Sequence, residues 1–113
     1  MPTPFFHLSF ALDLLKHPAL STQARTFLLK RRGAFLLGNT APDVQVVSGQ
    51  ERTATHFFGL PIQLGDTPPW EKLLAVYPAL REPQQFDPQQ GAFLAGYLCH
   101  LRADWDWVLE IFL

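Results

Sequence analysis

Apolar residues recur at every third or fourth position through most of this chain, and proline and glycine divide them into segments of helical length. Thr3-Pro4 supplies an N-cap and a first-turn proline, and Phe6, Phe10 and Leu14 then follow at one-turn spacing until Lys16-His17-Pro18 stops the run. This predicts a first helix with His7 in its opening turn. A second helix begins near Ser21 or Thr22 and carries Phe27, Leu28 and Leu29 to Lys30-Arg31-Arg32, where cations complement the helix dipole. Gly33 is expected to interrupt it. The stretch AFLLGNTAPD stays apolar to Gly38 and then reads as a turn through Asn39, Pro42 and Asp43, which leaves Asp43 in a loop or at a cap.

The segment ERTATHFFGL allows either a short helix bearing His56 or a strand, because Thr53, Thr55 and two phenylalanines suit a pleated surface as well. Residues 59 to 69, rich in glycine and proline, predict a loop, and Trp70 to Tyr77 predict a short helix closed by Pro78. Another loop is expected from 78 to 86. Asp87-Pro88-Gln89-Gln90 then combines an N-cap, a proline at the first helical position and a glutamine at the third, and a long helix runs from there to the end. Phe93, Tyr97, His100, Asp104 and Trp107 fall along one face of it, with Gly96 allowing another backbone to approach. The pattern as a whole predicts an all-α domain whose long C-terminal helix carries the pair His100 and Asp104.

Composition narrows the class. The 113 residues suit one domain over 1–113, and 48% hydrophobic against 17% charged residues marks a globular chain. A net charge of −1 gives no overall field toward nucleic acid or an anionic membrane, so any phosphate recognition has to be local. One cysteine, Cys99, excludes an internal disulfide framework and a multi-thiolate zinc site, and suggests a cytoplasmic protein. The N-terminal MPTPFFHLSFALDLLK lacks a basic leader region and reads as part of the fold. No uninterrupted apolar stretch of about 18 residues predicts a membrane span. The apolar ending VLEIFL suggests self-association or docking on a partner, or else that 1–113 is the N-terminal part of a longer domain.

The candidate chemistry lies in His7, Asp43, His56, His100 and Asp104. On a helix, His100 and Asp104 project from the same face, so an imidazole and a carboxylate can grip one ion. Each residue also has an ordinary explanation: an intrahelical ion pair for His100 and Asp104, a core histidine for His7 or His56, a turn residue for Asp43. Lys30-Arg31-Arg32 reads better as a solvated helix end than as a phosphate site, the tryptophans as core, and Cys99 as a buried apolar residue about 100° around the helix from His100.

Taken together, HLSFALDLL, AFLLGNTAPDV, THFF and AFLAGYLCHLRADW resemble the zinc-dependent phospholipase C family, which is related to the fungal single-strand nucleases, over about residues 5 to 107. The resemblance implies an all-α fold around a cluster of zinc ions. It further implies that Asp43, His56, His100 and Asp104 surround one ion, that Asp104 bridges to a second held by His7, and that Asp43 is the general base. The mixed nitrogen and oxygen set suits zinc, with iron or manganese as alternatives. Three departures bear on the carry-over. The family's N-terminal tryptophan ligand is absent, no histidine follows His100 to build a third site, where only Asp106 and Glu110 are left to contribute, and the chain ends where the family domain normally continues, as in a shortened or divergent member. Two functions follow: a zinc-dependent phosphodiester hydrolase acting on a phosphodiester such as a phospholipid, or a non-enzymatic helical interaction module with a residual or structural metal. An HD-type phosphohydrolase is less attractive, because the chain has no adjacent His-Asp pair.

Overall fold

A computed structural model describes residues 3–44, 48–58 and 65–112. The sequence signals at the helix starts are used as expected. Helix α1 (Pro4–Lys16) is capped by Thr3, whose side chain accepts from the Phe6 amide, and α2 (Thr22–Lys30) by Ser21, which accepts from Ala24. The break after α2 falls at Arg31, not at Gly33: Arg31 leaves helical geometry (φ −123°, ψ 37°), and α3 (Arg32–Thr40) runs through Gly33. Asn39, expected in a turn, is therefore a fully buried helical residue. The chain tightens into a 3₁₀ turn, Ala41–Val44, which carries Asp43.

The segment that allowed two readings is a helix, α4 (Arg52–His56). It ends at Phe57 in the left-handed region (φ 61°), a conformation that costs an aromatic residue about 1 kcal/mol. That reversal turns Phe58 inward to near-complete burial while Phe57 faces an open groove. Of the predicted 59–69 loop, residues 59–64 lie outside the described part. Helix α5 (Pro69–Val76) starts on its own proline, and the loop before the last helix contains 3₁₀ turns at Pro78–Arg81 and Pro83–Gln85. The last helix, α6 (Pro88–Phe112), opens with a reciprocal capping box: Gln90 N–H donates to Asp87 Oδ1 at 2.9 Å, and Asp87 N–H to Gln90 Oε1 at 3.3 Å. The fold is all-α, with no strand among the described residues.

Helix α6 is the central element, and α3 lies across it in backbone contact. A Cβ on Gly38 would fall 2.1 Å from the Phe93 carbonyl oxygen, and one on Gly96 would fall 2.1 Å from the Phe35 carbonyl oxygen. Only glycine permits this crossing at both points. Ala11 and Leu15 of α1, Leu28 of α2, Phe35 of α3 and Ala92 of α6 fill one core around it, with Cys99 packed against its edge as expected of an apolar residue. Complete burial of Phe35 contributes about 3 kcal/mol. A second cluster, Phe58, Trp105 and Val108, closes the other end of α6 against Trp70 and Trp107. No described helix is long and apolar enough to cross a membrane. The side chains of 111–113, on which docking through the apolar end was expected, lie outside the described residues.

Two outcomes follow from this packing. Gly96→Ala forces the crossing apart and is expected to cost about 3 kcal/mol, lowering Tm by roughly 10 °C or more in a thermal melt. Tyr97 donates to the Thr55 carbonyl oxygen at 2.5 Å, and burial, then the charge of Tyr77, pushes its phenol up to about 12. The native state therefore keeps this proton where the unfolded chain has lost it. Stability is full below the ordinary tyrosine value near 10 and falls as pH rises from there to about 12. Denaturant titrations at pH 9 and 11.5 should show this loss, and Tyr97→Phe should flatten it.

Candidate metal centre

Elements far apart in sequence bring the predicted side chains to one place. His100 and Asp104 come from successive turns of α6, His7 from the first turn of α1, Asp43 from the 3₁₀ turn after α3, and His56 from the last position of α4. His7, His100 and Asp104 offer ligand atoms within 4.8 Å of one another, and so do Asp43, His56 and His100. His100 belongs to both groups. Three of these residues were readable singly as ordinary core or turn residues; the fold places them together with the α6 pair.

The hydrogen bonds fix which ring nitrogens face inward. His100 Nδ1–H donates to the Asn39 carbonyl oxygen at 2.5 Å, so its neutral tautomer leaves a lone pair on Nε2. Thr55 Oγ1–H donates to the Arg52 carbonyl oxygen at 3.3 Å and accepts from His56 Nδ1–H at 3.0 Å, which leaves His56 Nε2 with a lone pair too. The two Nε2 atoms stand 3.3 Å apart. His100 Nε2 also lies 3.1 Å from Asp104 Oδ2 and 3.5 Å from Asp43 Oδ1, and His56 Nε2 lies 3.1 Å from Asp43 Oδ1 and 3.4 Å from Asp104 Oδ2. Lone pairs of two imidazoles and two carboxylates thus converge on one small space, an arrangement that repels itself unless a cation occupies it.

His7 completes the second group. Its ring stacks on that of His100, with centroids 3.6 Å apart, and its Nε2 is 3.0 Å from Asp104 Oδ1. Asp104 therefore faces a histidine through each oxygen. Burial pushes its carboxyl up, but with His100 and His7 protonated, hydrogen bonds from these rings, and then their charges, outweigh this and hold it well below the usual carboxylate range. Asp43 differs. Its Oδ1 faces the histidines, its Oδ2 is buried without a partner, and its side chain keeps 20% exposure against 2% for Asp104.

The donor set fits a divalent ion: three imidazoles and two carboxylates, with the outward nitrogens of His56 and His100 already bonded, that of His7 buried without a partner, and a buried carboxylate oxygen with no partner. Sequence reasoning missed the residues that orient the rings. Thr55 carried a signal, being adjacent to His56, but Asn39 acts through its backbone carbonyl, which no side-chain pattern reveals. Asp106 pairs with Arg102 at 2.9 Å on the exposed side of α6, and Glu110 is also exposed, so neither carboxylate joins the cluster.

A family model described as zinc dependent phospholipase C matches residues 3–107, a span that includes every residue of the cluster. No curated protein and no solved structure matches the chain.

If the cluster holds metal, elemental analysis of purified protein should give a near-stoichiometric divalent ion. His100→Ala, which removes the ring common to both groups, should reduce it to less than about a tenth. Chelation should lower the Tm of the wild type and leave that of His100→Ala unmoved.

Proposed function

The chain belongs to the zinc-dependent phospholipase C family, and on that basis we propose that it is a zinc-dependent phosphodiester hydrolase of the phospholipase C type. The observation that carries the reading is the convergence of inward-facing imidazole nitrogens and carboxylate oxygens from His7, Asp43, His56, His100 and Asp104. In this reading Asp43, His56, His100 and Asp104 would hold one zinc ion, and His7 with Asp104 would hold a second. Zinc bound there would supply Lewis acidity toward phosphoryl oxygens and make water a better nucleophile near neutral pH. The rest of the chemistry belongs to the protein. Asp43 is the general base: Oδ1 faces His56 and His100, while the unpartnered Oδ2, on the most accessible carboxylate of the cluster, takes the proton of the attacking water. Asp104 cannot take this role, because both its oxygens face histidines.

A groove of about 740 Å³ supports a substrate with an apolar portion. Ala54 and Phe57 form one wall beside His56, and Phe93, Leu94 and Tyr97 of α6 form another. The five cluster residues do not line the groove themselves, but it shares α4 with His56, and its apolar lining suits a lipid better than a nucleic acid, whose charge asks for basic walls. We read residues 1–113 as one domain, since α1, α4 and α6 all contribute to the one site. A cytoplasmic protein with a free cysteine is in keeping with the half-buried Cys99.

The second reading, a helical interaction module with a structural metal, draws on exposed apolar residues such as Phe5 at 83% and Leu37 at 61%. Hydrolysis of a short-chain phosphatidylcholine separates the two. The zinc-loaded hydrolase should release diacylglycerol and phosphocholine, and Asp43→Asn should lower kcat at least 10²-fold at matched zinc content. A wild type that holds zinc, melts cooperatively and cleaves no phosphodiester would establish the interaction module.

A further inference from the structure

Arg52 stands on the same face of α4 as His56, one turn earlier. Its guanidinium is held in place: Nη1–H donates to the Phe58 carbonyl oxygen at 3.1 Å, and the planar head lies over the Phe58 ring, 4.5 Å from its centroid. Phe58 in turn packs edge-on against Trp105, the residue after Asp104 on α6. This stack ties a half-buried cation to the metal-site end of α6. Its charge is sensed there too, since burial pulls the guanidinium down from its ordinary value while the carboxylates of Asp104 and Asp43 push it back up.

We propose that Arg52 is the anion-binding arm of this site, pre-set by Phe58 to grip the non-bridging oxygens of a substrate phosphodiester beside the Asp43 and Asp104 carboxylates. The proposal rests on the phosphodiester reading of the cluster. A guanidinium presents five N–H donors in a planar fork that matches the spacing of two phosphate oxygens, and stacking on an aromatic face removes much of the rotamer freedom that binding would otherwise have to freeze. The groove offers apolar contact, and the cluster offers charge at the reacting phosphorus. Arg52 adds what neither provides, a directional grip on the phosphate.

The test is calorimetric binding of inorganic phosphate to zinc-loaded protein, with chelated protein as control and zinc content and Tm measured for each variant. Zinc-dependent binding that weakens tenfold or more in Arg52→Gln at unchanged zinc content supports the assignment. Arg52→Lys keeps a cation but loses the fork, and should weaken binding at least threefold; it decides the matter if Arg52→Gln does not fold. Phosphate affinity equal to wild type in a folded variant, with only Tm reduced, makes Arg52 a structural brace and overturns the proposal while leaving the hydrolase reading in place. A zinc-loaded wild type that binds no phosphate overturns both.

Discussion

The structure depends on the backbone contact between α3 and α6 at Gly38 and Gly96. Each glycine sits where a methyl group would collide with the partner helix's backbone, against Phe93 in one direction and Phe35 in the other. The closeness does more than bury area. It carries Asn39, at the next position after Gly38, against α6, so that its carbonyl oxygen receives the Nδ1 proton of His100 one turn beyond Gly96. A wider crossing would break that bond and free the ring to turn. The same contact that closes the core therefore fixes the tautomer at the centre of the site, and fold and chemistry cannot be altered separately there.

The cost of this design is electrostatic. His7, His56, His100 and Asp104 are all nearly or completely buried, and a buried carboxylate beside unprotonated nitrogens is unfavourable unless positive charge joins it. Protons can supply part of that charge, since His7 Nε2 and His100 Nε2 lie 3.0 and 3.1 Å from the two Asp104 oxygens and His56 Nε2 lies 3.1 Å from Asp43 Oδ1, each within reach of an N–H donor. A divalent ion can supply it to two carboxylates and several imidazoles at once, without a proton on each ring. The two overlapping groups of ligand atoms make this a candidate metal site.

Much of this was legible in the sequence, and for identifiable reasons. Helix starts are written in local chemistry, so Thr3, Ser21 and the Asp87–Gln90 box marked their positions well. The α6 pair was visible because one helical turn is a fixed spacing. Gly33 misled, because a glycine inside a helix and one between helices look alike until packing decides, and the actual break at Arg31 has no special residue to announce it. Asn39 misled in the same way: its preference for turns yielded to burial against Gly96. The gathering of His7, Asp43 and His56 around α6 is a tertiary fact. Family resemblance suggested it, whereas periodicity alone could not.

Helix α4 shows how little backbone a site of this kind requires. Its five residues and the aromatic pair that follows serve several ends at once. His56 faces the cluster, Thr55 orients it, and Arg52 brings a cation to the same face. Ala54 and Phe57 line the apolar groove, and Tyr97 ties the groove wall to the site by bonding the carbonyl of Thr55. So short a helix has almost no stability of its own. It is held by contacts at both ends, by the Arg52 bond to Phe58 and by the insertion of Phe58 against Trp105, and the left-handed turn at Phe57 is the strain accepted for directing successive aromatic residues to opposite sides. Because groove, histidine and cation share one small element pinned to α6, a substrate that filled the groove would press on the same helix that presents His56. The groove wall and the presentation of His56 thereby rest on the same few residues.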